Sequence, residues 1–359
     1  MTQRRTIAIA GLGAAAQGIH LPAYQKTDKL DLVGGCDPLA ASQGKQYAFP
    51  VFPDIKSLID NTRPDILTVA TPTPDHFDLV RYGLEQGCHI FCEKPFTASL
   101  DEARELVNLA KQVNRRIVVN NQFRFMDIYQ AARAKIGTPE FGELLCLSAN
   151  QTFYVSDATE AGWRGEDPQR TCKEFGIHVL DLCRYFFDEE PLSITCKMQR
   201  LGDATGPDYL NLIQLEFSAN RLAQITLDRL SRGRHRYLDL RLDGTHATLE
   251  TEFGGRLEAS AGIRGGTRKP FFHFDFSPGG RAVLYRGEQG RKIASDPLNI
   301  FANATRKLMT AYLEALDNNS VPPCSACDNI KTLALMLAAY ESDSCGQAVP
   351  FASQWADSA

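Results

Sequence analysis

The segment His89–Pro95 reads H-I-F-C-E-K-P and places a carboxylate, an amine and a proline in immediate succession. Ile90 and Phe91 have the apolar character of a buried strand, and ligands of open α/β sheets gather beyond the carboxyl ends of the strands. Because Pro95 cannot continue a strand ladder, we expect Lys94 to face a crevice and to handle a proton beside a bound cofactor. An isolated E-K-P would also suit a surface loop.

A second set of reactive side chains has helical spacing. The pattern predicts a helix from about residue 173 to residue 187, in which Glu174, His178 and Asp181 fall at i, i+4 and i+7 on one face. A carboxylate one turn from an imidazole can orient the ring and stabilise its charged form. A solvated polar stripe is the alternative interpretation of the same spacing.

The first predicted strand, Thr6–Ala10, leads directly into G-x-G-x-x-A. In such a turn the first glycine permits tight bending, the second lets a pyrophosphate approach the backbone, and the small third residue allows close packing. The following helix offers free N–H groups to phosphates. The turn predicts a dinucleotide-binding site. Its residues are Gly11, Leu12, Gly13, Ala14 and Ala15.

Asp37 ends the second predicted strand, Leu32–Cys36, and lies 26 residues after Gly11. That spacing is typical of a carboxylate that accepts hydrogen bonds from the adenine ribose hydroxyls. No arginine follows immediately to hold a 2′-phosphate, which favours NAD over NADP. Asp37 can at the same time cap the next helix, with Pro38 at its first position.

Further strands and helices alternate along the first third of the chain. Ile66–Ala70 predicts a strand, and Asp75 is a candidate cap for the helix after it. His76, in the first turn of that helix, is expected to be a neutral hydrogen-bonding contact at the cofactor edge, although alone it would suit a structural role. Ser99 begins an S-x-x-E capping box, and Ile117–Val119 predicts another strand. The alternation predicts an α/β fold with a doubly wound parallel sheet.

Extended segments dominate after about residue 125, which predicts a second sheet with one covered and one polar face. They are Leu144–Phe153, Ser193–Met198, Leu210–Phe217, Leu222–Leu227 and Tyr237–Leu242. A sheet with an open face often associates with a partner, so we expect a homodimer or homotetramer. Two arginine- and glycine-rich stretches, Arg229–Arg236 and Gly262–Lys269, are interpreted as solvated loops, and Asn299–Leu316 as a helix.

Composition limits the class of protein. The 359 residues suggest two domains, and 43% hydrophobic and 23% charged residues are ordinary for a globular protein. A net charge of −4 gives no support for nucleic-acid or anionic-membrane binding. No apolar run reaches the roughly 18 residues of a membrane span, and the start does not read as a signal peptide. We expect a cytoplasmic protein.

The ten cysteines are scattered through apolar segments, which favours buried free thiols. Cys324-Ser-Ala-Cys327 is a single C-x-x-C without a second pair or a nearby histidine. We therefore expect no metal site.

Taken together, the motifs resemble those of the glucose–fructose oxidoreductase / inositol dehydrogenase (Gfo/Idh/MocA) family. The matching segments in the first half are the glycine-rich turn, Asp37, Ala70-Thr71-Pro72…His76, Glu93-Lys94-Pro95 and Asn121-Gln122-Phe123-Arg124. Those in the second half are Gly142-Glu143-Leu144, Gly176-Ile177-His178-Val179-Leu180-Asp181, Asp328…Ala334-Leu335 and Tyr340-Glu341-Ser342…Gly346-Gln347-Ala348-Val349. Each match alone is weak, but in this order they span nearly the whole chain.

The resemblance implies an NAD-binding Rossmann domain, residues 1–124, and an α/β domain for substrate binding and oligomerisation, residues 125–359, with an open, mainly antiparallel sheet. The C-terminal helices could pack back on the first domain. It also implies a cis peptide before Pro95, a proton-handling role for Lys94 and His178, and Glu93 near the cofactor. Its motifs add Thr71, Pro72 and Gln122 to the cofactor residues and Arg124 to the substrate residues.

The chain departs from the family pattern before His178. The family has Asp four residues earlier, where this chain has Glu174, and the usual glycine-rich lead-in is replaced by Arg170-Thr171-Cys172-Lys173. Glutamate is one methylene longer, so its carboxylate could still reach the ring. Candidate substrate contacts in this region are Tyr154, Trp163, Arg164, Arg170, Lys173 and Glu174. The three cationic ones could meet an anionic substrate or be solvated.

The resemblance implies NAD-linked oxidation of a secondary alcohol of a sugar, sugar derivative or cyclitol, or the reverse reduction. A free lysine has a pKa near 10.4, and burial beside the nicotinamide cation would lower it toward the working pH. Either Lys94 or His178 could be the immediate proton partner. Two rivals use the same scaffold: NAD-assisted glycoside cleavage through a transient keto sugar, and a sensor of sugar and NAD without turnover.

Overall fold

The computed structural model describes residues 4–44, 46–154, 167–200, 206–233, 236–263 and 270–351. The chain forms two compact units. The first consists of Met1–Phe125 and Phe301–Leu335, and the second of Met126–Ile300 and Met336–Ala359. The segment 301–335 is therefore part of the first unit although it lies far along the chain.

The first unit contains a six-stranded parallel sheet of order β3-β2-β1-β4-β5-β6. Its strands are β1 (Arg5–Ala10), β2 (Leu30–Cys36), β3 (Val51–Phe52), β4 (Ile66–Val69), β5 (His89–Cys92) and β6 (Ile117–Val119). The doubly wound parallel sheet is confirmed. The two-residue edge strand β3 has no sequence pattern of its own, and with it the strand before Lys94 is the fifth of the chain.

Helices connect these strands. They are a π-helical turn (Ala16–His20) that continues as α1 (Leu21–Tyr24), then α2 (Pro38–Ser42), α3 (Ile55–Thr62), α4 (His76–Glu85) and α5 (Leu100–Gln112). Ser99 caps α5 by accepting from the Glu102 amide at 3.3 Å, and the Glu102 carboxylate accepts from the Ala98 amide at 3.0 Å. The predicted cap of α4 is wrong: Asp75 lies in a 3₁₀ turn (Thr73–Asp75) and makes no side-chain capping bond.

Two long C-terminal helices are α8 (Ile300–Asp317) and α9 (Ala326–Cys345). The first unit contains α8 from residue 301 onward and the first half of α9. Leu308, Met309 and Tyr312 of α8 are fully buried in one cluster with Ile7 of β1 and Phe91 of β5. The helix predicted over residues 299–316 therefore supplies core to the Rossmann sheet.

The second unit contains a nine-stranded sheet of order β16-β15-β12-β11-β7-β10-β9-β8-β17. Its strands are β7 (Leu144–Thr152), β8 (Ser193–Arg200), β9 (Asp208–Phe217), β10 (Arg221–Asp228), β11 (Arg236–Gly244), β12 (Thr248–Phe253), β15 (Gly280–Arg286), β16 (Gln289–Asp296) and β17 (Val349–Pro350). Only the β7–β10 pair is parallel. The mainly antiparallel sheet is confirmed. A separate ribbon pairs β13 (Arg256–Ile263) with β14 (Pro270–Ser277).

One face of the large sheet is covered and the other is open. Side chains of its central strands alternate between buried, such as Leu147 and Ile225, and exposed, such as Leu212 and Gln224. The helices of this unit are α6 (Asp127–Arg133) and α7 (Ile177–Phe187), and α7 is buried at every position except Tyr185. No helix within the described residues has the length and apolar character needed to cross a bilayer.

Two predictions about the second unit are corrected. Residues 172–176 form a π-helical turn before α7, so Glu174 and His178 do not belong to one regular α-helix. Arg229, assigned by sequence to a solvated loop, is 2% exposed, and its guanidinium lies 5.0–5.9 Å from three aromatic ring centres. The rings of Phe153, Phe175 and Tyr209 thus shield a charge that the sequence pattern assigns to solvent.

Candidate active site

The glycine-rich turn links β1 to the π-helical turn and has the geometry that its sequence predicts. Gly11 has φ +88°, and a Cβ on it would lie 2.7 Å from the carbonyl oxygen of Ala70. Gly13 has no atom within 4 Å of its would-be Cβ. Glycine at the first position therefore lets two strands approach, and glycine at the second leaves the backbone open to a ligand.

Asp37 joins this turn to α2. Its Oδ2 accepts from the Leu12 amide at 2.9 Å, and its Oδ1 accepts from the Leu39 and Ala40 amides, each at 2.9 Å. The predicted helix cap is confirmed. The carboxylate also holds the glycine-rich turn in place, which the spacing argument did not anticipate.

His76 is fully buried beneath the segment after β4. Its Nε2 lies 2.9 Å from the Thr71 carbonyl oxygen, and its Nδ1 lies 2.9 Å from the Pro95 carbonyl oxygen. Burial lowers the pKa of the ring, and the carbonyl oxygens only partly offset this effect. His76 is thus a ring between the Thr71 loop and the Lys94-Pro95 turn, which as a neutral imidazole donates to one of the two carbonyl oxygens, and it has no exposed surface of its own.

Glu93 and Lys94 follow β5, and the peptide between Lys94 and Pro95 is cis, as the resemblance implies. Lys94 is partly exposed, whereas the Glu93 side chain is 9% exposed. Burial raises the pKa of the Glu93 carboxyl, but hydrogen bonds from His20 and Asn120 and the charges of His20 and Lys94 outweigh it and lower the value to about 2. The residue before the candidate proton-handling lysine therefore carries a buried, ionised carboxylate.

The segment after β6 adds polar groups to the same edge of the sheet. Gln122 is 2% exposed, and Arg124 makes an ion pair of 2.9 Å with Asp328. The predicted cofactor contact Gln122 and the predicted substrate contact Arg124 both lie in the first unit, at the carboxyl end of a Rossmann strand.

In the second unit, His178 is 5% exposed in the first turn of α7. Asp208, at the start of β9, holds the segment that precedes His178. Its carboxylate accepts from the amides of Arg170 at 2.5 Å, Thr171 at 3.0 Å and Cys172 at 3.0 Å. This carboxylate was missed by sequence reasoning, because its partners lie 36–38 residues earlier and no local pattern marks it.

The charged residues before His178 are paired within the protein. Arg170 is 4% exposed and forms an ion pair with Glu174, and Lys173 lies 2.7 Å from Asp167. Arg170 is therefore not solvated, and its charge is already paired with a carboxylate of the protein. Asp181 is 1% exposed and lies 3.8 Å from Arg184, so the polar stripe is not a solvated face.

The remaining substrate candidates lie around residue 154. Tyr154 is partly exposed, and the Arg232 guanidinium lies 4.2 Å from its ring centre. Trp163 and Arg164 lie outside the described residues, as do parts of the two arginine- and glycine-rich stretches.

The residues present fit a dinucleotide. Besides the glycine-rich turn, two buried polar atoms, Thr71 Oγ1 and Gln122 Oε1, have no hydrogen-bond partner among the described residues. They follow β4 and β6, at the edge where the turn after β1 lies. Buried polar atoms are normally paired, so their orphaned state marks places where a polar ligand would bond.

The cysteines offer no comparable site. Cys324 is buried and Cys327 exposed, and both are free thiols. Within the described ranges, no group of three or more His, Cys, Asp and Glu side chains is arranged to hold a metal ion.

Comparison with known protein families agrees with this geometry. The NAD-binding Rossmann-fold model of the GFO/IDH/MocA oxidoreductase family matches residues 5–121, and the family's C-terminal domain model matches residues 129–250. The chain belongs to this family of oxidoreductases.

The sequence identity between this chain and individual relatives is low. The D-apiose dehydrogenase of Paraburkholderia graminis is 25% identical over 358 residues, covering 96% of this chain and 89% of the relative. The D-glucoside 3-dehydrogenase of Escherichia coli is 27% identical over 191 residues, covering 50% of this chain and 53% of the relative. A crystal structure of an oxidoreductase from Agrobacterium radiobacter in complex with NAD⁺, L-tartaric acid and magnesium shares the fold, with a TM-score of 0.78, 19% identity and coverage of 98% and 100%.

Proposed function

We propose that this oxidoreductase transfers a hydride between the nicotinamide of NAD and a secondary alcohol or ketone of a sugar, sugar derivative or cyclitol. The observation that carries the proposal is the partly exposed Lys94 after β5, next in the chain to the buried and ionised Glu93. The substrate class is supported by two relatives whose names state that they oxidise sugars or sugar glycosides.

NAD, when bound, would accept or supply the hydride. The open backbone at Gly13 and the helix after it would hold the pyrophosphate, and Asp37 would accept from the adenine ribose hydroxyls. Thr71 and Gln122 would use their orphaned oxygens, Pro72 would line the same edge, and His76 would keep the Thr71 loop in place. The carboxylate of Asp37 would disfavour a 2′-phosphate, so NADP is expected to bind more weakly than NAD.

Lys94 and His178 are the proposed proton-handling groups, and either can be the immediate partner of the substrate hydroxyl. General acid–base catalysis of this kind contributes about 10²–10⁴-fold to rate. Other proposed substrate contacts are Arg124, Tyr154, Trp163, Arg164 and Glu174. Arg124 and Glu174 already pair with Asp328 and Arg170, so we propose that these ion pairs set the orientation in which they meet a substrate.

The test is a panel of sugars, glycosides, polyols and cyclitols with NAD and, separately, NADP. We expect reduction of NAD with at least one member and conversion of its hydroxyl to a ketone or lactone. Release of an aglycone without net NADH would instead assign glycoside cleavage. Tight NAD binding with no turnover of any member would contradict the proposal and favour a sensor.

We also propose that the chain forms a homodimer or homotetramer through the open face of the large sheet. Leu212 is 51% and Leu222 40% exposed on that face, in adjacent strands. Substituting Leu212 by Glu is expected to reduce the mass measured by light scattering, while Val321→Glu, at an even more exposed apolar residue of the first unit, leaves it unchanged. A monomeric native protein would contradict the proposal.

A further inference from the structure

His20 occupies the last position of the π-helical turn after the glycine-rich turn and is fully buried. Its Nε2 lies 2.8 Å from Glu93 Oε1, and its Nδ1 lies 3.1 Å from the Tyr24 hydroxyl, which in turn lies 2.7 Å from Thr68 Oγ1. The ring packs edge-on against Phe91 at 5.9 Å between centres. Both nitrogens therefore have partners, and the ring has one defined orientation.

Two side chains, those of His20 and Asn120, hold the Glu93 carboxylate, which also accepts a hydrogen bond from the adjacent Lys94 amide. Oε1 lies 2.8 Å from His20 Nε2 and accepts from Asn120 Nδ2 at 2.7 Å, while Oε2 accepts from the Lys94 amide at 3.2 Å. The Asn120 amide oxygen accepts from Thr305 Oγ1 at 3.3 Å, which orients that side chain as a donor to Glu93. The position of the carboxylate thus depends on His20 and Asn120, and the Lys94 backbone depends on the carboxylate.

The charge balance around Glu93 rests on few groups. The titratable side chains that face it are His20, Tyr24, His76, Cys92 and Lys94. Burial raises the pKa of Tyr24 and of Cys92 above their ordinary values and lowers the pKa of His76. These three stay uncharged near neutral pH, and the neighbouring charges that lower the pKa of Glu93 are those of His20 and Lys94.

We propose that His20 is a positioning residue for Lys94: it fixes and partly neutralises the Glu93 carboxylate, and so sets both the placement of the Lys94 turn and the ease with which the amine loses a proton. The role in turnover rests on the proposed function of Lys94. Attraction between opposite charges is mutual: because the Lys94 charge favours an ionised Glu93, the carboxylate favours the ammonium form of Lys94. A donor at His20 weakens that effect and keeps the amine closer to the base form.

The experiment compares two amide substitutions. In His20→Gln the amide nitrogen can occupy the place of Nε2 and still donate to Glu93. In His20→Asn the amide nitrogen corresponds to Nδ1, so the contact with Tyr24 can be kept and the donor to Glu93 is lost. His89→Gln is the matched control, because His89 is a partly buried histidine of the same unit that accepts from the Arg116 amide and has no contact with Glu93.

The first readout does not need turnover. The full-length protein is treated with acetic anhydride over a range of pH, and the rate of Lys94 acetylation is followed by mass spectrometry of peptides. The half-maximal pH is expected to rise by about 0.5–1 unit in His20→Asn and to return most of the way to the native value in His20→Gln. The second readout is kcat against pH, whose acid limb should shift in the same direction, with NAD affinity within about twofold of native.

The outcomes distinguish the positioning role of His20 from the proposed role of Lys94 in turnover. An unchanged acetylation profile in folded His20→Asn, or equal shifts in the Asn and Gln variants, would overturn the positioning role. Turnover retained in Lys94→Ala would refute the proposed function of Lys94, while the acetylation profile would still decide whether His20 acts on the amine.

Discussion

At the residue scale, the charge of Glu93 is decided by neighbours that are distant in sequence. The resemblance placed Glu93 near the cofactor, but its ionised state depends on His20, which lies 73 residues away, and on Asn120, 27 residues away. No local pattern reports such contacts. The sequence could therefore identify the reactive segment from its strand and its proline, but not the side chains that set its charge.

Glu93 gives the protein a predictable response to acid. Its folded-state pKa of about 2 lies below the ordinary value of 4.5, so the carboxylate stabilises the fold above the ordinary pKa, and this stabilisation is lost as the pH falls towards 2. Between about pH 7 and about pH 3, the free energy of unfolding of the wild type should therefore fall by about 2 kcal/mol more than that of Glu93→Gln. Urea unfolding of both proteins at each pH measures the difference.

The control for this comparison is Glu105→Gln, since Glu105 is an exposed glutamate on α5 whose ion pair with Arg81 is solvated. It should show no comparable loss. A difference between wild type and Glu93→Gln that is the same at both pH values would contradict the ionised state of the buried carboxylate.

At the element scale, most local signals predict the structure, although the cap predicted at Asp75 is wrong. The sequence signals for the glycine-rich turn and for the caps at Ser99 and Asp37 each lie within a few positions, and these features form as predicted. The Glu102 carboxylate differs from the capping-box pattern in accepting from the Ala98 amide. The π-helical turns at residues 16–20 and 172–176 do not have such a signal. The second is held by Asp208 of β9 and by Gly176, whose would-be Cβ lies 2.6 Å from Leu227, so tertiary contacts decide its geometry.

The two glycines of the turn are expected to respond differently to alanine. Gly11→Ala puts a Cβ at φ +88° against the Ala70 carbonyl and should lower the free energy of unfolding by more than about 1 kcal/mol. Gly13→Ala meets no protein atom, so the fold should keep its stability while NAD binding weakens by about tenfold or more. Thermal unfolding and fluorescence titration with NAD separate these effects, and equal losses of stability in the two variants would contradict the assignment.

At the scale of the whole molecule, segments that are far apart in the chain belong to the same compact unit. Periodicity predicted the helix over residues 299–316, but it could not show which sheet the apolar face covers. The structure assigns α8 to the first unit, where Tyr312 is fully buried and donates to the Arg116 carbonyl at 2.9 Å. An amphipathic pattern identifies a covered face without identifying its partner.

This assignment predicts a long-range effect on the cofactor domain. Tyr312→Ala removes a ring from the cluster that contains Ile7 and Phe91, and should cost about 3 kcal/mol of unfolding free energy and weaken NAD binding. Glu314→Ala, on an exposed position of the same helix, should change neither. If NAD affinity and stability survived Tyr312→Ala, α8 would not be part of this core.

We propose above all that the Lys94 amine handles the proton that accompanies hydride transfer. The most direct measurement is a single turnover: NAD-loaded protein is mixed rapidly with the sugar or polyol that the panel identifies, and formation of NADH is followed by its absorbance in wild type, in Lys94→Ala and in Lys26→Ala, an exposed lysine of the same unit. We expect Lys94→Ala to slow NADH formation by about a hundredfold or more, with NAD affinity within about twofold of native, and Lys26→Ala to behave as wild type. NADH formed by Lys94→Ala at the native rate would contradict it.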